Sequence, residues 1–235
     1  MPASDEILRV AGGDGALFHA INAPDYRGQR VELTPRGRGN ALARDLARSR
    51  DAFTFREIDL IETTIQPASG DASVRLCASS VAFGYPSGVT RQAGQLRFMR
   101  RLSYATAGLL TWPRGIDLTV SYDAAAPLPM RLKGILVNNT CHVGGFTAIR
   151  EARVDDGLID VLELNAGYFS QTAHNLSEVT GLGFWRPARH VQFRRAAIRA
   201  SEPSLLMLDG ELIEGILAVE LKVLPCALTI RLAEG

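Results

Sequence analysis

Four short glycine clusters, three of them with carboxylates, have spacings that could do chemistry. The first is Gly12-Gly13-Asp14-Gly15. Glycines let a backbone turn with positive φ and approach a ligand closely, and a helix start that follows offers free N–H groups to an anion. Asp14 there could hold Mg2+ or orient a hydroxyl group; a tight strand-to-helix turn also accounts for it. The second, Pro35-Arg36-Gly37-Arg38-Gly39-Asn40, repeats the architecture about twenty residues later, and two neighbouring glycine-lined helix starts are harder to dismiss as turns. Neither loop completes the dinucleotide fingerprint, and no Walker-type loop ending in Lys-Ser or Lys-Thr occurs. The third, Asp155-Asp156-Gly157-Leu158-Ile159-Asp160, suits either a hard cation or a polar hairpin. The fourth, Leu208-Asp209-Gly210-Glu211, sets two acids astride a glycine between apolar strands, where Asp-Gly also makes a common hairpin turn.

Other chemistry-bearing residues carry less. His19, His142, His174 and His190 show no metal-ligand spacing and read as structural or solvated. Ser87 lies in Gly84-Tyr85-Pro86-Ser87-Gly88, which is not a nucleophile elbow, so a hydrolase triad has no support. The pairs Arg100-Arg101 and Arg194-Arg195 read as solvated faces that could help at an anionic membrane surface.

The elements that must position these clusters fall into two groups. Ile7–Ala11 and Val31–Thr34 read as strands, each followed by a glycine loop and a helix, Ala16–Asn22 and Ala41–Arg48, with Asn40 as N-cap of the second. This is α/β organisation, in which ligands bind at the carboxyl ends of the strands. Beyond about residue 52 the pattern turns strand-rich, with strands expected at 58–62, 73–77, 116–122, 132–138, 159–164, 191–199, 204–208, 218–224 and 227–232. Helices are expected around 97–112 and 169–182. The expected fold class is α/β plus β: a short α/β unit over residues 1–52, then a larger β-sandwich-type unit over 53–235, with a cleft between them.

Composition narrows the function. With 235 residues there is room for one large domain or two modest ones, and 26 basic against 25 acidic residues give a net charge of +1. That balance argues against a nucleic-acid partner. Hydrophobic residues are 46% and charged ones 22%, as in globular rather than disordered chains. No apolar run approaches a membrane span, and no signal peptide is visible at the start. Cys77, Cys141 and Cys226 are widely separated and odd in number, which favours a reduced, cytoplasmic protein.

Taken in order, the four clusters resemble the diacylglycerol kinase and sphingosine kinase superfamily, including its bacterial lipid kinases. The family pattern runs Gly-Gly-Asp-Gly-Thr, Pro-x-Gly-Thr/Ser-Gly-Asn, an Asp-Gly turn, then Asp-Gly-Glu. It corresponds here to Gly12–Ala16, Pro35–Asn40, Asp156-Gly157 and Asp209-Gly210-Glu211. Asn40-Ala41-Leu42-Ala43, Val137-Asn138 with Gly144-Gly145, and Val223–Leu228 add further echoes. The resemblance implies two domains around a catalytic cleft. The front unit would bind ATP through Gly12, Gly13, Gly15, Gly37, Arg38, Gly39 and Asn40. The body would hold a lipid and supply Asp209 and Glu211, which with Asp14 serve Mg2+ and activation of the lipid hydroxyl. Asp155, Asp156 and Asp160 resemble a structural Mg2+ site.

The chain departs from the pattern at Ala16, His19, Arg36 and Arg38. Family members also carry roughly two further strand–helix units before the first glycine loop. Three outcomes follow as expectations: a homodimer or second chain completes the front sheet, the protein is longer, or the nucleotide site is vestigial. The expected activity is an ATP- and Mg2+-dependent lipid kinase in peripheral contact with a membrane. The alternative is a degenerate relative that binds a lipid or a partner, and a soluble small-molecule kinase is a third reading.

Overall fold

The computed structural model describes residues 6–37, 39–49, 52–96, 98, 103–144, 146–165 and 188–234. The front begins with β1 (Ile7–Gly12), α1 (Asp14–Ile21), β2 (Arg30–Pro35) and α2 (Ala41–Ala47). These are the two strand–loop–helix units expected from the sequence. Val31 and Leu33 alternate into the core from β2, while Leu17, Phe18 and Ile21 form the buried stripe of α1. β1 and β2 pair in parallel, so both glycine loops leave the same end of the sheet.

The body is mostly strand: β3 (Arg56–Pro67), β4 (Ser73–Cys77), β5 (Ser80–Gly84), β6 (Ile116–Tyr122), β7 (Leu128–Leu132), β8 (Gly134–Asn138), β9 (His142–Val143), β10 (Phe146–Thr147), β11 (Ile159–Leu164), β12 (Ala188–Phe193), β13 (Arg195–Leu208) and β14 (Glu211–Leu232). Its helices among the described residues are α3 (Tyr85–Gln95) and α4 (Ser103–Leu110). The helix expected at 169–182 lies outside the described residues. α3 was not among the expected elements. It starts at Gly84, whose φ of +73° and close neighbours exclude a side chain: a Cβ there would lie 2.7 Å from the Lys133 carbonyl oxygen. Pro86 then sits in the first turn, where its missing N–H costs nothing.

β14 organises the sheet. It pairs with β13 and β3 antiparallel over most of its length, then runs parallel to β2 at Ile230–Leu232. The strand changes course at a register shift between Leu224 and Leu228, where Cys226 takes a φ of +52° and Asp59 Oδ1 accepts its N–H at 2.9 Å. Strands expected separately at 218–224 and 227–232 are therefore one element bent at a bulge. One hydrophobic core gathers Phe83, Ile135, Val161 and Ile198 of the body, with Phe18 of α1 reaching into it. A second joins Leu17, Val31, Leu42 and Leu46 of the front to Ile58, Leu60, Leu228 and Ile230.

Candidate active site

The two glycine loops meet backbone to backbone. A Cβ on Gly13 would lie 2.9 Å from Gly37 Cα, and one on Gly37 would lie 2.5 Å from Gly13 Cα. Only glycine permits this approach at either position. Gly39 packs in turn on Gly144, beside β9. The Asp209-Gly210 turn closes the other side. Leu208 pairs with Glu211, leaving a two-residue hairpin loop with both φ values positive, the backbone that Asp-Gly adopts readily. Gly13, Asp14, Gly15, Gly37, Gly39, Asn40, Asp209 and Glu211 thus line one cleft of about 230 Å³. Gly12 stands just behind it, with its carbonyl accepting the Arg36 N–H at 2.9 Å. Arg38 lies outside the described residues.

The three carboxylates have different tasks. Asp14 Oδ2 accepts the Ala41 N–H at 2.9 Å and Oδ1 the Leu42 N–H at 3.1 Å. Asp14 therefore caps α2 from across the cleft. Asn40 holds the N-cap position with a φ of +48°, but its side chain donates to the Gly37 carbonyl and caps nothing. Burial raises the Asp14 carboxyl above its usual range despite these donors.

Asp209 is 3% exposed and accepts three backbone N–H groups: Ala78 at 2.7 Å on Oδ2, and Ser79 and Ser80 at 2.9 and 2.7 Å on Oδ1. Burial pushes its carboxyl up to about 7, with the nearby Asp14 charge acting in the same direction. Glu211 differs from both. Its side chain is 45% exposed, its ion-pair partner among the described residues is His19 at 3.5 Å, and Oε1 lies over Gly15 at the start of α1. A negative charge is favoured there by the helix dipole. The two acids of the Asp-Gly-Glu turn thus sit differently: Asp209 holds the 78–80 loop, and Glu211 faces the cleft.

The residues present fit a phosphate-bearing ligand at one helix start, not two. At α1 the first-turn N–H groups of Gly15 and Ala16 have no acceptor within the helix. At α2 the corresponding donors of Ala41 and Leu42 belong to Asp14. The buried Asn40 Oδ1 has no hydrogen-bond partner among the described residues and lies beside the glycine cradle. Mg2+, a hard cation, would find Glu211 and the remaining lone pairs of Asp14.

Asp155, Asp156 and Asp160 each have partners of their own, and Asp156 also feels the charges of Asp160 and Asp59. Asp155 pairs with Arg56 at 2.7 Å and Arg153 at 3.5 Å. Asp156 Oδ1 accepts the Leu158 N–H at 3.0 Å within its own turn, and buried Asp160 bonds His190 Nε2 at 2.5 Å. Their oxygens form no three-ligand cluster among the described residues. Ser79, Ser80, Thr90, Tyr104 and Met207 line the cleft without having been anticipated, since they enter from separate elements and share no sequence pattern.

Residues 79–232 match the family described as the YegS C-terminal NAD kinase beta sandwich-like domain. The chain belongs to this family. Solved structures agree at the level of fold. A protein of Bacillus anthracis str. Sterne provisionally assigned as a diacylglycerol kinase aligns over 97% of this chain and 78% of its own, with a TM-score of 0.73 and 15% identity. A second structure under the same assignment and organism covers 95% and 76%, with a TM-score of 0.72 and 16% identity. A third, described as a diacylglycerol kinase from the same strain, covers 95% and 76% with a TM-score of 0.71 and 17% identity. No curated protein sequence matches the chain. The YegS-type body and this fold agree with the family resemblance read from the four clusters.

Proposed function

We propose that the chain is an ATP- and Mg2+-dependent lipid kinase that transfers the γ-phosphoryl group to the hydroxyl of a diacylglycerol- or sphingoid-like lipid. The observation that carries this reading is the meeting of both glycine loops with the Asp-Gly-Glu turn in one cleft. Phosphoryl transfer asks for positioning and for neutralised phosphate charge, which Mg2+ supplies when bound. The glycine cradle admits phosphate oxygens to the N–H groups of Gly15 and Ala16. Glu211 is the carboxylate free to take the acceptor's proton as its oxygen bonds to the γ-phosphorus and the bond to ADP breaks. Asp14 holds α2 against the cradle, and Asp209 holds the wall at 78–80.

A lipid acceptor is favoured by the exposed apolar end of a helix that also lines the cleft. Tyr104 of α4 lines the cleft, and Leu109, Leu110 and Trp112 at the end of that helix are exposed. An exposed apolar group of this kind suits peripheral contact with a bilayer. No helix among the described residues is long and apolar enough to cross a membrane. β1 has β2 as its sheet partner and forms an edge among the described residues, so pairing with a second chain belongs to this proposal and is tested by native mass.

Transfer of labelled γ-phosphate to a panel of lipids in vesicles with Mg2+ tests the reading, and a folded protein that labels none of them overturns it. A second reading, binding without transfer, is favoured by the capture of the α2 N–H groups by Asp14. Calorimetry with ATP and Mg2+ separates the two: micromolar binding supports the kinase.

A further inference from the structure

One helical turn along α2 from the cleft, three ligand atoms of different chemistry meet. Asp45 comes from α2, His142 from the start of β9, and Cys141 from the residue before it. Cys141 Sγ lies 2.8 Å from Asp45 Oδ1 and 3.1 Å from His142 Nδ1, and Nδ1 itself contacts Asp45 Oδ1. The Cys141 N–H donates to the other carboxylate oxygen at 2.5 Å, which fixes its orientation. Cys141 is 1% exposed, and the side chains of Asp45 and His142 are 9% and 15% exposed. It is the one such mixed cluster among the described residues.

We propose that Asp45, Cys141 and His142 bind one ion of the Zn2+ class, with a fourth position open to the neighbouring arginine-lined cavity. A thiolate, an imidazole and a carboxylate suit a borderline-soft ion and not Mg2+. Around tetrahedral Zn2+ such atoms sit roughly 3–3.7 Å apart, so the cluster needs to open by about 1 Å or less. Three protein ligands with one position left for water or an anion is a recurrent zinc arrangement. The cavity beside it measures about 520 Å³ and is lined by Arg44, Arg48, His142, Thr147 and Arg150.

The arginines do not oppose the ion. Thiolate and carboxylate together balance the 2+ charge, so the filled site is neutral, and the guanidiniums favour an anion in the fourth position. Arg48 Nη1 already donates to Cys141 Sγ at 2.6 Å. Such a bond persists on a metal-bound thiolate and tempers its charge. The thiol's proton leaves to solvent when the ion binds. An ion here would clamp α2 to β9, and Gly144, beside β9, packs against Gly39 in the cleft wall.

The test uses the full chain, reduced, with Co2+ as a spectroscopic probe and Zn2+ as its competitor. One equivalent of Co2+ should give thiolate-to-metal charge-transfer absorption and the visible bands of a tetrahedral site, both erased by Zn2+. Cys141→Ser should lose the charge-transfer band, His142→Ala should weaken binding at least about tenfold, and Cys226→Ser should leave both unchanged. Zn2+ should raise the melting temperature of the wild type and not that of Cys141→Ser. Should Cys141→Ser fail to fold, His142→Ala decides the question through affinity. Absence of the band in the wild type, its survival in Cys141→Ser, or unaltered affinity in His142→Ala overturns the proposal. No phosphoryl transfer is read, so the outcome is independent of the kinase assay.

Discussion

Replacing Asp209 by asparagine removes a titrating carboxyl from a buried seat while keeping its size. Two effects compete at that seat in the wild type. The N–H groups of Ala78, Ser79 and Ser80 favour the anion, and burial with Asp14 nearby favours the acid. Burial wins and lifts the carboxyl from 3.8 to about 7. Between those values the folded protein keeps a proton that the unfolded chain has released. The stability contributed by this group is therefore complete below pH of about 4 and is lost as pH rises through about 7. The full shift is worth on the order of 4 kcal/mol.

Asp209→Asn keeps one acceptor oxygen, which serves either Ala78 or the Ser79 and Ser80 pair. At least one buried N–H then lacks a partner, at about 1–3 kcal/mol. The variant should accordingly be less stable than wild type near pH 4, and the gap should close or reverse by about pH 8. Urea melts of both proteins across that range measure the gap directly. A gap that stays constant, or that widens as pH rises, would show that the three donors outweigh burial, and the assignment of Asp209 as a neutral positioning group would fall.

Glu211→Gln should reduce phosphoryl transfer by about 10²–10⁴-fold while leaving the melting temperature within a degree or two, since the side chain is half exposed and its ion-pair partner among the described residues is the exposed His19; equal losses of activity and stability would remove it as the base. Gly13→Ala forces a methyl group to within 2.9 Å of Gly37 Cα and should cost about 1–3 kcal/mol in thermal unfolding together with ATP binding by calorimetry. Asp14→Ala strips the cap from α2 and should lower stability by about 1–2 kcal/mol, with Asp14→Asn recovering part of it; no change in either would refute the capping role.

Much of the fold was legible where local pattern and burial agree. β4, β6 and β11 occupy their expected spans, Ser73–Cys77, Ile116–Tyr122 and Ile159–Leu164, because their apolar runs are bounded by turn residues. The front units read correctly because glycine loops break strands whose alternate residues are buried. α3 was illegible for the opposite reason. Tyr85–Gln95 buries only Tyr85, Ser87 and Ala93, and its start depends on a left-handed Gly84 enforced by the Lys133 carbonyl from another element. The return of β14 to β2 was hidden too, since parallel pairing between residues 230–232 and 31–33 leaves no local signature.

The site was legible as a set of residues and not as a set of roles. Asp209 and Glu211 flank one glycine, and composition treats them alike. The hairpin separates them: positive φ at Asp209 and Gly210 turns the chain, so that Asp209 meets the N–H groups of 78–80 while Glu211 begins the returning strand above Gly15. One acid is thereby immobilised and shielded from water, and the other stays solvated within reach of a ligand. His142 was read as structural or solvated because its partner Asp45 is far away in sequence; only the packing of α2 on β9 brings the two together. Acid chemistry needs a free carboxylate held by fixed ones, and that division is set by backbone donors that every residue carries. Side-chain identity alone therefore cannot announce it.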